Sequence, residues 1–198
     1  MSQQQKKNRR TIVLLFSMTI IPFCIAWYLS SNVNWIGNGT NNGQLIIPAI
    51  TTERSELVGF DEFSKLNLTE LNGHWVLVNV IPNKDCNELC IEAIHKTKQL
   101  RLMMNKDLVR IRRAVLVFSE VKDDLAQAWW KDDLRLLRAK PTQTLVQKLK
   151  KIRNAAIPEG MLFLMDPLGN LMMQYDPGFD PYKVKKDLGK LLRISQIG

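Results

Sequence analysis

Residues 75–81 read Trp75-Val76-Leu77-Val78-Asn79-Val80-Ile81, and residues 86–90 read Cys86-Asn87-Glu88-Leu89-Cys90. The first run is almost continuously apolar over seven residues, the pattern of a strand buried on both faces. The second opens a segment in which Leu89, Ala93, Lys96, Leu100 and Met103 or Met104 recur at near-helical spacing. A thiol pair at a strand-to-helix turn is a place for chemistry. The partial positive charge of a helix N-terminus favours thiolate over thiol. Two such sulfurs can exchange a disulfide or bind a soft metal ion.

Working outward, Ala114-Val115-Leu116-Val117-Phe118 is a second apolar strand, so strand, helix and strand form a βαβ unit with a right-handed crossover. A helix is expected next, capped by Asp123 or Asp124 and running to about Ala139, where Pro141 breaks it. Thr142 caps a second helix from Gln143 to about Asn154. Met161-Leu162-Phe163-Leu164-Met165 and Leu171 to Tyr175 flank the turn Asp166-Pro167-Leu168-Gly169-Asn170, which predicts a β-hairpin. Asp180-Pro181 opens a last helix whose apolar face is Val184, Leu188, Leu191 and Leu192. Gln44 to Ile50 reads as a strand ahead of these elements. The order is that of an α/β, thioredoxin-like sandwich, a mixed central sheet with helices on both faces.

Thr11 to Leu29 is an uncharged, mostly apolar run of 19 residues. As a helix it spans about 28 Å, close to the hydrocarbon core of a bilayer. Residues 1–10 carry Lys6, Lys7, Arg9 and Arg10 and no acid, which predicts a cytoplasmic basic tail and a domain on the far side of the membrane. The expected organisation is therefore tail 1–10, transmembrane anchor 11–29, flexible Asn/Gly/Ser-rich linker 30–43 and folded domain 44–198. The net charge is +9, but beyond the tail 24 basic residues face 19 acidic ones. That surplus, without a glycine-rich basic patch interleaved with aromatics, does not point to nucleic acid. Cys24 lies in the apolar run and reads as a small apolar filler.

Cys86 and Cys90 are then the two cysteines of a domain facing an oxidising compartment. Three readings compete: a structural disulfide, a redox-active pair, or a copper(I) site. A bridge across so short a loop gains little chain entropy. Metal ligands are scarce. His74 sits at the other end of the strand, about 23 Å away at 3.3 Å per residue. His95 is turned roughly 140° around the helix from Cys90. Ile157-Pro158 precedes the third core strand, where an X-Pro bond can be cis and shape the thiol surface. The methionine pairs 103–104 and 172–173 read as core filler. Trp129-Trp130 reads as half core and half exposed, and Lys148, Lys150, Lys151 and Arg153 as a solvated helix face. Ser-His-Asp, P-loop and HExxH signatures are absent.

The anchor, Cys86-Asn87-Glu88-Leu89-Cys90 after its strand, and Leu162 through Asn170 together resemble the Sco/SenC family, over roughly residues 60–193. That resemblance implies a membrane-anchored thioredoxin-like protein assisting cytochrome c oxidase assembly. It also implies residence in a bacterial inner membrane with the C-terminal domain in the periplasm, and an oxidase subunit or another assembly factor as partner. The departures are specific. Ile91 stands where the family has a proline after its second cysteine, and Pro158 stands where it has a copper-binding histidine, eight residues before Asp166. The resemblance thus leaves dithiol exchange by Cys86 and Cys90 beside copper(I) transfer. In the exchange version Cys86 is the more exposed, attacking thiol and Cys90 the resolving one. The alternative is a non-catalytic scaffold with a static disulfide, binding its partner through the tryptophans or the basic helix.

Overall fold

The structure, a computed structural model, describes residues 3–31, 40–121, 123–130, 133–153 and 156–197. The chain divides into two compact units, Met1–Asn41 and Asn42–Gly198. The first contains helix α1, Gln3–Ser31, which carries Pro22 and is long and apolar enough to cross a membrane, with mean hydropathy 2.0 over an 18-residue window. Most of the linker, residues 32–39, lies outside the described residues.

The second unit is built on one seven-stranded mixed sheet. Its strands are β1 (Gln44–Thr51), β2 (Leu57–Gly59), β3 (Trp75–Ile81), β4 (Ile111–Val117), β5 (Leu137–Pro141), β6 (Leu162–Met165) and β7 (Asn170–Tyr175), in the order β1-β7-β6-β3-β4-β5-β2. The helices are α2 (Glu62–Asn67), α3 (Glu88–Met103), α4 (Asp123–Trp129), α5 (Gln143–Arg153) and α6 (Pro181–Ile194).

β3 is buried along its whole length because it is central, parallel to β4 and antiparallel to β6. Its alternate side chains feed two cores. Val76, Val78 and Val80 pack with Leu145 and Leu149 of α5, while Trp75 and Leu77 pack with Ala93 and Leu100 of α3 and Val184 and Leu188 of α6. Helices therefore cover both faces. The βαβ unit forms through α3, and β6 and β7 form the expected hairpin, with Asp166 Oδ1 accepting from the amides of Leu168 and Asn170 at 2.9 and 2.8 Å. Thr142 Oγ1 accepts from Leu145 N at 3.4 Å at the start of α5, and Asp180 caps α6 by accepting from Tyr182 N at 2.8 Å. Met104 and Met173 are buried core residues.

Two expectations fail here, and one falls outside the described side chains. The helix predicted to reach Ala139 ends as α4 at Trp129, and Leu137–Pro141 is a strand pairing β4 in parallel and β2 antiparallel. The side chains of Asp123 and Asp124, proposed as its caps, lie outside the described ones. The buried stripe of α3 is Cys90, Ala93, Ile94, Thr97 and Leu100, so Leu89, 46% exposed, faces outward.

Where the domain begins, Asp187 of α6, 2% exposed, accepts from Asn42 N (2.7 Å), Asn42 Nδ2 (2.8 Å), Gly43 N (2.9 Å) and the Tyr175 hydroxyl (3.1 Å). A buried carboxylate is tolerated because its lone pairs are occupied. Burial, and then the adjacent Asp187 charge, push the Tyr175 phenol well above its ordinary pKa. Gly43 is required there, since a Cβ would lie 2.6 Å from the Tyr175 ring.

Candidate functional site

β3 ends at Ile81, Pro82 follows, and the chain turns through residues 83–87 into α3. Asn87 is the N-cap: its backbone is extended and its Oδ1 accepts from Cys90 N at 3.0 Å. This satisfies one of the free amides of the first turn. Cys90 is thus the third helical residue, whereas Cys86 precedes the cap and lies outside the helix. The two are joined by a disulfide with a Cα–Cα distance of 5.3 Å, within the range that bridges allow.

The loop before β6 holds this turn in place. Glu159 accepts from Asn83 Nδ2 at 2.6 Å and from Asn87 N at 3.1 Å. Gly160 has φ +78°, and a Cβ on it would approach Leu89 O to 2.8 Å, so a side chain there is excluded by both backbone conformation and space. The residues before β6 do lie beside the cysteines, as expected. The expectation of a cis bond at Pro158 is not met: the cis peptide bond among the described residues is Ile47-Pro48, in β1.

The sulfurs are also not open to solvent. Cys86 is 7% and Cys90 2% exposed. Both belong to an apolar cluster with Ile81, Ile94, Val115, Val117 and Trp130. Cys86 keeps the small exposed area because it precedes the helix, while Cys90 points into the packing beneath it. Trp130 is buried and makes edge-on contacts with Phe60 (5.9 Å) and the half-buried Trp129 (5.7 Å). The tandem tryptophans are therefore half core and half surface.

Beneath α3 runs a buried polar network that sequence reasoning missed. Arg113 of β4 pairs with Asp133 and donates from Nη2 to Ile94 O at 2.8 Å and Thr97 Oγ1 at 3.2 Å. Thr97 in turn donates to Asn79 Oδ1 at 2.8 Å. Burial pulls the Arg113 guanidinium below its ordinary pKa, and Asp133 opposes that shift. The available signals were a lone Asn in an apolar strand and an Arg opening another, since polar residues at such positions need partners.

As metal ligands the surroundings are poor. His74 Nδ1 is hydrogen-bonded to Asn72 O at 2.9 Å, His95 is exposed on α3, and no group of three His, Cys, Asp or Glu side chains converges among the described residues. Reduced Cys86 and Cys90 offer copper(I) two soft sulfur donors, with no His, Asp, Glu or further Cys completing a three-ligand group among the described residues.

The fold has solved counterparts. Apo Sco1 from Thermus thermophilus is 15% identical with a TM-score of 0.56, covering 77% of this chain and 97% of its own. Yeast Sco1 is 13% identical with a TM-score of 0.51, covering 64% of this chain and 84% of its own. At these identities the likeness is one of fold, and it agrees with the Sco/SenC resemblance in the sequence. No curated protein matches the sequence. The profile of the family described as "Transmembrane-like, thioredoxin-like, C-terminal domain" matches residues 75–195. Since that stretch holds the disulfide, the core strands β3, β4, β6 and β7, and more than half of the chain, this protein belongs to the transmembrane-like, thioredoxin-like C-terminal domain family.

Proposed function

We propose that this protein is a Sco-like assembly factor for cytochrome c oxidase, tethered by α1 in a bacterial inner membrane with its thioredoxin-like domain in the periplasm. The observation supporting this reading is the Cys86–Cys90 pair at the first turn of α3 in a thioredoxin-like sandwich. The pair acts as a dithiol. The Cys86 thiolate attacks a partner disulfide, forming a mixed disulfide and releasing one partner thiolate. Cys90 then attacks Cys86 Sγ, closing the Cys86–Cys90 bond and releasing the second partner thiol. A separate dithiol reductant resets the pair. Copper(I) is the alternative cargo, held between the two reduced sulfurs and handed to the partner as substrate.

Cys86→Ser and Cys90→Ser are each expected to abolish oxidase maturation in cells. Normal oxidase activity in both variants overturns the reading. Anaerobic titration of the reduced protein with copper(I) tests the cargo version, which falls if no stoichiometric binding depends on both thiols.

The burial of both sulfurs favours a second reading, in which the bond is static and the domain is a binding scaffold. The reduction potential separates the two. A value below about −300 mV belongs to an inert bond, and a higher one to exchange.

A further inference from the structure

A continuous groove runs along α3, away from the disulfide. One wall is a single stripe of the helix, Ile91, His95, Lys98, Arg101 and Leu102, at the three- and four-residue spacing that places side chains on one face. The other wall comes from the end of α4 and the segment after it: Trp129, Trp130, Asp133, Leu134 and Arg135. Three adjoining cavities of about 160, 230 and 410 Å³ make up the groove. The first and second share Lys98 and Asp133. The second and third share Arg101, Arg113, Leu134 and Arg135. From Ile91 to Arg101 the wall is about 15 Å long at 1.5 Å per residue. That length accommodates about five residues of extended chain.

Its charge is one-sided at the far end. Arg113 is neutralised by Asp133, and Arg112 by Glu70 at 3.2 Å. Arg101 uses its Nε on Ile111 O at 2.8 Å, which leaves the end of its guanidinium for a ligand, and Arg135 is exposed. Burial, followed by the nearby charges of Arg112, Arg135 and Arg113, pulls Arg101 below its ordinary pKa, against the opposing charge of Asp133. Exposed apolar side chains edge the groove: Leu102 at 52%, Val109 at 67% and Leu134 at 80%. At the near end, Trp130 carries a buried indole N–H with no partner among the described residues.

We infer that this groove is the docking site for an extended acidic segment of a protein partner, with carboxylates on Arg101 and Arg135 and apolar side chains against Leu134 and Val109. Planar guanidinium forks suit carboxylates, and alternate side chains of an extended segment can meet alternating apolar and basic lining. The near end lies at Ile91, next to Cys90 in sequence, and at Trp130, which packs in the same cluster as both sulfurs. That the occupant is the partner of the disulfide rests on the reading above. Binding in the groove does not.

The test uses the full chain in nanodiscs of zwitterionic lipid and a fluorescein-labelled hexapeptide of alternating Glu and Leu. Binding is followed by anisotropy. Expected are saturable binding that weakens in high salt, a loss of at least tenfold in Arg135→Glu and in Leu134→Glu, and little change in Lys150→Glu, which carries the same charge reversal on α5. The Cys86→Ser/Cys90→Ser variant is expected to bind as the parent does, so failure of the exchange reading and failure of this one are distinguishable. The proposal is overturned if the peptide does not bind, or if the Arg135 and Lys150 reversals weaken it equally. It is equally overturned if inorganic phosphate at comparable concentration displaces the peptide, marking a small-anion site. Binding of phosphatidylglycerol vesicles that depends on Arg135, with no binding of the peptide, would mark a lipid site and overturn it too.

Discussion

Reducing the Cys86–Cys90 bond is expected to cost the domain about 2 kcal/mol and no more. The bridge closes a loop with a sequence separation of 4, and the chain-entropy relation for so short a loop gives about 2 kcal/mol at 25 °C. No other interaction needs to be lost. The Asn87 cap, the two bonds to Glu159 and the apolar contacts of both sulfurs do not require the covalent link. For a domain of this size 1 kcal/mol shifts Tm by roughly 2–4 °C, so reduction should lower it by about 4–8 °C. The assay is thermal unfolding of the full chain in nanodiscs, followed by circular dichroism at 222 nm, with and without a phosphine reductant. A dithiol that cycles must be folded in both states, and this small cost permits it. A fall of more than about 15 °C on reduction, or loss of the cooperative transition, would refute the reasoning, because the bond would then hold the fold rather than ride on it.

Other perturbations follow from the same geometry. Asn87→Ala removes the cap over Cys90 N and should destabilise by about 1 kcal/mol in a denaturant titration. Asp133→Ala strands the buried Arg113 charge and should cost about 3–5 kcal/mol, whereas an Arg113→Met/Asp133→Leu double variant should regain most of it. Glu56 accepts from Lys148 at 2.7 Å and from Glu53 N at 2.9 Å. Burial pushes its pKa up, but these bonds and the Lys148 charge outweigh burial and hold it below 4.5. Its contribution to stability is therefore full above that value and lost as pH falls through the lowered one. Glu56→Gln should flatten the acid limb of a stability–pH curve.

The parts of this fold legible in the sequence are those where one interaction dominates. β3, but for Asn79, and β4 from Ala114 to Val117 are apolar runs because burial dominates on central strands, and Asp180-Pro181 marks the start of α6 by local chemistry alone. β5 was hidden because Leu137 to Pro141 carries Arg138 and Lys140, and its strand form comes from pairing with β4 and β2 rather than from propensity. Arg138 sits in that strand because Asp61 pairs with it at 2.9 Å and the rings of Trp130 and Phe63 lie 5.7 and 5.6 Å from it. None of these partners is near it in sequence except Trp130. The cysteine pair was legible from its spacing, but its burial was not. Cover for the sulfurs comes from the packing of Trp130, Val115 and Val117, and from the turn fixed by Glu159, 69 residues beyond Cys90.

In the proposed exchange, the placement of the pair assigns the two sulfurs different roles even though both are buried. Cys90 sits at the third position of α3, where the first-turn amides and the helix dipole stabilise negative charge. Cys86 lies ahead of the Asn87 cap and keeps the larger share of the remaining exposure, 7% against 2%. A thiolate from outside therefore reaches Cys86 Sγ first. The leaving group is then Cys90. Exposure thus sets the direction of attack, and burial slows access without reversing it. Access itself depends on the turn 82–87, which Glu159 holds through two hydrogen bonds at the surface, to Asn83 and Asn87. Such bonds are worth about 1 kcal/mol each, small enough for a docking partner to displace. That part of the sulfurs' cover is held weakly enough to open on docking, while the packing of Trp130, Val115 and Val117 stays in place.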